Sequence, residues 1–163
     1  MADARRPRDA RAAIPRMALV AAADFGPRLD AARVAEAIAR GLRAGGTPAV
    51  DRCPLVAGGR HRGAVALRNA LLEELSEQRF DERMRLARAL IVAERRLQEP
   101  TLQRSVAFEL ATRARQAGVP AYAITCESRL DSFDARLLDL QRIIVACTAR
   151  ALAAAGRELA ALL

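Results

Sequence analysis

The sequence has no lysine and no tryptophan, and a single histidine, His61. Without lysine no side chain can form a Schiff base or bring a compact ammonium to a transferring phosphate; cationic roles fall to arginine, which acts as a charge clamp rather than a proton donor. Cysteine is scarce: Cys53, Cys126 and Cys147 are widely spaced, odd in number and without a C-x-x-C pair. A zinc site of ordinary spacing is therefore excluded, and no metal site is expected. Unpaired cysteines in apolar surroundings fit a reducing compartment, so a cytoplasmic location is expected. Cys147 follows Ile143-Ile144-Val145-Ala146 and reads as a small buried residue. Aromatics make up 3% of the chain, so a core must be built from Ala, Leu, Val and Ile. No apolar run reaches the length needed to cross a bilayer, and no membrane association is expected. Met17–Ala23, after an arginine-rich stretch, is too short and alanine-rich for a secretory leader and reads as a first strand.

The 163 residues are 52% apolar and 28% charged, a globular composition of single-domain length. Residues 1–16 read as a disordered basic tail and 17–163 as one α/β domain. The net charge is +8, to which Arg5, Arg6, Arg8, Arg11 and Arg16 against Asp3 and Asp9 contribute a local surplus of three. A tail of this kind can bind phosphates without sequence preference, losing affinity as salt rises. No aromatic residue interleaves with its arginines, so bases have nothing to stack on, which argues against nucleic acid as the partner.

Short apolar runs alternate with amphipathic helical patterns. Strands are expected at Met17–Ala23, Ala49–Leu55 (interrupted by Asp51 and Arg52, hence near an edge), Ala87–Ala93, Val119–Thr125 and Ile143–Cys147. Helices are expected from Asp30, a capping residue, to Gly45-Gly46, with a stripe of Val34, Ile38 and Leu42. Others follow at Gly63–Gln78 (buried face Val65, Leu67, Leu71, Leu72, Leu75), from Phe80, over Thr101–Ala117, within Leu130–Leu140 and over Ala149–Leu163. The closing helix carries Leu152, Leu159, Leu162 and Leu163, read as core or as a contact with a second copy. This alternation predicts a Rossmann-like three-layer α/β/α sandwich with about five mostly parallel strands. Ligands in such sheets sit at the carboxyl ends of the strands. Those ends hold few acids, Asp24 and Glu94, and many arginines. Arg28, Arg60, Arg62, Arg95, Arg96 and Arg104, with Gly58 and Gly59, form the candidate anion- or nucleotide-binding set together with Glu94, suited to a phosphate-containing small molecule. No catalytic residue is assigned, and His61 reads as an exposed loop residue.

Residues Asp30–Arg43 resemble the first helix of the bacterial type I glycerate kinases. In that family the first strand runs into an Asp-Ser-Phe-Lys-Gly-Ser-Leu loop; the same frame here is Ala23, Asp24, Phe25, Gly26, Pro27, Arg28, Leu29. The family's Ala-Asp-Gly-Gly-Glu-Gly-Thr loop falls on Val56, Ala57, Gly58, Gly59, Arg60, His61, Arg62. Its Phe-Asp-Glu-Arg-Leu lead-in and apolar strand match residues 80–92, and its Gly-Glu-Gly-Arg-Leu-Asp loop falls on Ala93 to Gln98. The resemblance covers most of residues 17–125 but loses the functional positions: the loop aspartate is Ala23, the lysine Gly26, the second-loop acids Ala57 and Arg60, the third-loop aspartate Gln98. The central segment that forms the family's other domain is also missing between Gln78 and Phe80. The resemblance thus implies a truncated, non-catalytic glycerate-kinase-like domain, a binding or protein-interaction module that needs no cofactor. Its exposed former interdomain face would suit a homodimer or protein partner. The alternative is a residual kinase that phosphorylates glycerate with ATP and Mg2+, completed by a partner or dimer mate.

Overall fold

In a computed structural model, which describes residues 17–57, 64–97 and 105–163, five parallel strands form one sheet between two layers of helices. The elements run β1 (Met17–Ala22), α1 (Ala31–Ala44), β2 (Val50–Pro54), α2 (Ala64–Glu77), α3 (Phe80–Leu86) and β3 (Ala87–Ala93). They continue with β4 (Arg96–Leu97), α4 (Val106–Ala117), β5 (Ala121–Thr125), β6 (Glu127–Ser128), α5 (Ser132–Leu137), β7 (Leu140–Val145) and α6 (Ala149–Ala160). The sheet order is β2-β1-β3-β5-β7, every pairing is parallel, and β4 pairs with β6 in a separate two-residue ladder. The expected α/β sandwich is therefore the fold, with β2 at an edge as its polar interruptions suggested.

Strand alternation divides the core. Leu19 and Ala21 of β1 and Leu90 and Val92 of β3 face α2, α3 and α4, where Leu71, Leu75, Phe80, Met84 and Leu110 pack on them. Ala18, Val20 and Ala22, with Ala89, Ile91 and Ala93, face α1 and α6 and meet Val34, Ile38, Leu42, Leu152 and Leu159. Both faces are covered, which is why β1 and β3 read as unbroken apolar runs. Asp30 caps α1 by accepting from Arg33 N at 2.8 Å, as expected from the sequence.

Several boundaries and faces differ from the expectation. Helix α4 begins at Val106, because Ser105 has extended backbone and caps it through Phe108 N; residues 98–104 lie outside the described residues. Among the described side chains of α2, Leu71 and Leu75 are buried, Leu67 and Leu72 are half-buried, and Val65 is exposed. β5 starts at Ala121, after Pro120, whose ring cannot donate to the ladder. β7 spans Leu140–Val145 and stops two residues short of Cys147, which is exposed rather than buried. In α6, Leu152 and Leu159 belong to the core, while Leu162 beyond its end is exposed.

Candidate functional site

The chain leaves β1 toward β2 on one side and returns through β3 to the other, so the crossovers from β1 and β3 go in opposite directions and open a crevice between their carboxyl ends. This reversal is where ligands bind in open parallel sheets. A hollow of about 280 Å³ lies there, lined by Ala23, Asp24, Leu67, Glu94, Arg95, Arg96 and Val106. Of the residues picked out from sequence, the structure brings Asp24, Glu94, Arg95 and Arg96 together. Arg28 lines a different hollow, beside α1 with Arg33, Glu36, Arg40 and Arg52. Gly58, Gly59, Arg60, His61, Arg62, Arg104 and residues 1–16 lie outside the described residues.

Glu94 sits one residue beyond β3 and turns back onto the start of α4. Its Oε2 accepts from Ala107 N at 2.8 Å and its Oε1 from Val106 N at 3.3 Å. The first-turn amides of a helix have no intrahelical acceptor, and here a carboxylate of the chain itself occupies the place an anion would take. Burial pushes the Glu94 carboxyl up to about 7, against the two amides that favour its charged form. Glu74 of α2 does the same for the β2 loop, with Oε1 2.8 Å from Val56 N and Oε2 2.9 Å from Ala57 N. Asp24 is also engaged locally, its Oδ1 accepting from Gly26 N at 3.2 Å.

Arg95 is placed by its own backbone. Its carbonyl accepts from Cys126 N at 3.0 Å and Glu127 N at 3.2 Å, and the Thr125 hydroxyl lies 3.1 Å from it. The β4–β6 ladder, pairing Arg96 with Glu127 and Leu97 with Ser128, extends this clasp between the ends of β3 and β5. Arg96 is ion-paired with Glu127 at 3.4 Å. The Arg95 guanidinium has no carboxylate partner among the described residues, and it lies over Gly26: a Cβ built there would be 3.6 Å from Arg95 Nη1. Gly26 has φ +119°, a conformation that favours glycine.

Sequence reading missed this clasp, since two-residue strands carry no periodic signal. Nor does sequence place Cys126, just past β5, beside Cys147, just past β7. Cys126 Sγ lies 3.9 Å from the carbonyl of Ala146, and the neighbouring Cys147 thiol adds to the burial that raises the Cys126 thiol. A hollow of about 700 Å³ between α2, α3 and α4 is larger but lies away from the strand ends. Arg68, Arg85 and Arg113 line it, and Arg113 is bound to Asp81 at 2.8 Å and Glu109 at 2.8 Å. Large apolar side chains that stay exposed include Phe133 and Leu137 of α5 and Val145 at the end of β7. Among the described residues no helix is long and apolar enough to cross a membrane, and no group of three or more His, Cys, Asp or Glu is placed to hold a metal.

Comparison with known proteins adds little. No protein-family profile matches the chain, and no curated protein matches it. A crystal structure of a protein described as pilus assembly-related, from Burkholderia pseudomallei, resembles it with a TM-score of 0.48 and 18% identity. The likeness covers 90% of this chain and 91% of that one. At that similarity it says nothing of ligand or activity.

Proposed function

We propose that this chain is a non-catalytic binding module that takes a small anionic group, a phosphate or a carboxylate, in the crevice between β1 and β3. The observation that carries the reading is the Arg95 guanidinium, held over Gly26 with no carboxylate partner among the described residues. In the glycerate-kinase frame Gly26 stands where that family has its loop lysine. On this reading Arg95 brings positive charge to the same neighbourhood from a different strand, as a clamp without the lysine's chemistry. Asp24 and Glu94 hold backbone amides in place, which shapes the crevice and leaves neither poised on a substrate. The hollow, about 280 Å³, suits a small anion better than a nucleotide. A protein partner, a second copy included, has its apolar footing at Phe133, Leu137 and Val145.

One observation favours the residual kinase: Asp24 and Glu94 line the same crevice, and carboxylate oxygens are what magnesium takes. That reading needs ATP and Mg2+ to bind, with the missing domain supplied in trans.

Thermal-shift titrations of the whole chain with inorganic phosphate, glycerate, phosphoglycerate and ATP, each with and without Mg2+, separate the two. A ligand that binds only the folded state raises its stability by RT ln(1 + [L]/Kd). Stabilisation by phosphate or glycerate at millimolar concentration, lost in Arg95→Ala and indifferent to Mg2+, is expected. A shift that Arg95→Ala retains, or no shift with any anion, overturns the anion reading. A shift confined to ATP with Mg2+ replaces it with the kinase.

A further inference from the structure

Beyond the crevice, the carboxyl end of the sheet carries two sulfurs on neighbouring strands. Thr125, the last residue of β5, is in register with Val145, the last residue of β7, and Ala146 N donates to the Thr125 carbonyl at 2.8 Å. Cys126 and Cys147 are thus each within two residues of that final rung. Cys126 Sγ lies 3.9 Å from the carbonyl oxygen of Ala146, the residue joined to Cys147. The Cys126 thiol therefore lies against the backbone that leads directly into Cys147, and the two thiols act on one another. The two differ in access. Cys147 is exposed and Cys126 half-buried, whereas Cys53 is fully buried, its thiol donating to Gln78 Oε1 at 3.1 Å.

We propose that Cys126 and Cys147 form a redox-active dithiol that closes to an intramolecular disulfide by exchange with a low-molecular-weight disulfide, Cys147 attacking first and Cys126 resolving. The Cys147 thiolate displaces one thiol from the reagent, forming a mixed disulfide at Cys147 as the reagent's S–S bond breaks. Cys126, after giving up its proton, attacks Cys147 Sγ and releases the second thiol. Two electrons pass from the protein to the reagent, one disulfide replaces another, and the two protons leave on the two released thiols. The order follows from environment. Cys147 is exposed and meets the reagent first, while burial and the neighbouring Cys147 thiol push the half-buried Cys126 thiol up, so it waits for a sulfur to be delivered. The bond would tie the ends of β5 and β7 together beside Arg95, whose charge acts on Cys126.

The test is intact-mass analysis of the reduced full-length chain incubated with oxidised glutathione, followed by native alkylation, denaturation and peptide mapping. The expected product is lighter than the reduced chain by two hydrogens, has lost two of its three free thiols, and links the peptide of Cys126 to that of Cys147. Its Tm is shifted upward by several degrees, because closing a loop restricts the unfolded chain. Cys126→Ser stops at one glutathione on Cys147, and Cys147→Ser gives no disulfide within the chain. Wild-type protein that accumulates the glutathione adduct without closing, or joins Cys147 to Cys147 of another copy, overturns the proposal. Because the wild-type product decides the matter, it does not depend on either variant folding.

Discussion

Gly41 and Ala153 meet backbone to backbone: a Cβ atom on Gly41 would stand 1.9 Å from the carbonyl oxygen of Ala153. The contact is matched on the other helix, where a Cβ on Gly156 would lie 2.3 Å from the carbonyl oxygen of Ile38. Glycine costs a helix interior about 1 kcal/mol relative to alanine, and here it allows α1 and α6 to approach closely. Gly41→Ala and Gly156→Ala should each lose roughly 1–3 kcal/mol in urea unfolding, as overpacked sites do. The double variant should lose less than the sum, since either change already parts the helices. A rise in stability for either single variant would contradict the close packing.

Glu94 gives a pH signature of definite sign. Its carboxyl is raised from 4.5 to about 7 in the folded chain, so between those values the native state holds a proton that the unfolded state has released. Its contribution to stability is therefore present below about pH 4.5, declines as pH rises toward 7, and is flat above. At about 1.4 kcal/mol per pKa unit, the rise from 4.5 to about 7 corresponds to a change on the order of 3 kcal/mol. Urea unfolding of wild type and Glu94→Gln across this range should show that slope in the difference between them. A difference that does not vary with pH would remove the raised carboxyl.

The same titration should reach the proposed ligand. Below about pH 7 Glu94 loses its negative charge in the hollow that Arg95 lines, so glycerate, whose own charge is constant here, should bind several-fold more tightly at pH 6 than at pH 8. With the monoanion glycerate as probe, isothermal titration should find this dependence in wild type and not in Glu94→Gln. Equal pH dependence in both would place the ligand elsewhere.

In the same helix layer as α4, Arg83 grips Asp51 with two 2.8 Å hydrogen bonds, reaches the Arg52 carbonyl at 2.6 Å and touches Gln78 Oε1 at 3.1 Å. The guanidinium fork fixes edge strand β2 to α3. Arg83→Met should cost about 1.5–3 kcal/mol, the scale for hydrogen bonds to charged groups, and Arg83→Lys should recover only part because an ammonium cannot make both bonds to Asp51. Thiol labelling provides a second readout. Burial pushes Cys53 up to about 11, and neighbouring Arg83 opposes that shift, so Cys53 should resist reagents until the chain unfolds.

How much could be read in advance follows from the length of each signal. β3 was legible to its end residues because Ala89, Leu90, Ile91 and Val92 are all buried, leaving an unbroken apolar run. The cap Asp30 and the stripe Val34, Ile38, Leu42 were legible for the same reason, since local chemistry and helical period agree. The buried face of α2 is not legible in its sequence because its apolar residues surround the axis; of its described side chains, Leu71 and Leu75, one turn apart, are the fully covered ones. β7 was shifted because Leu140 begins a strand whose outward residues Gln141 and Arg142 hid the pattern. In the crevice, Glu94 and Arg95 were visible as strand-end residues. Their roles were not, because Glu94 acts on amides twelve and thirteen positions away and Arg95 is held by the end of β5. Such relationships exist only once the crossovers have formed.

The docking of α6 on α1 also bears on the last strand. β7 has β5 as its single neighbour in the sheet, and an edge strand held on one side would ordinarily fray. Its chain runs directly into α6, however, and α6 is seated on the first helix, which covers β1 and contacts β2. Peeling β7 therefore means lifting α6 away from α1. Amide protons of β7 should exchange on the same slow timescale as those of α1, so that the first and last helices open as one cooperative unit although most of the sequence lies between them.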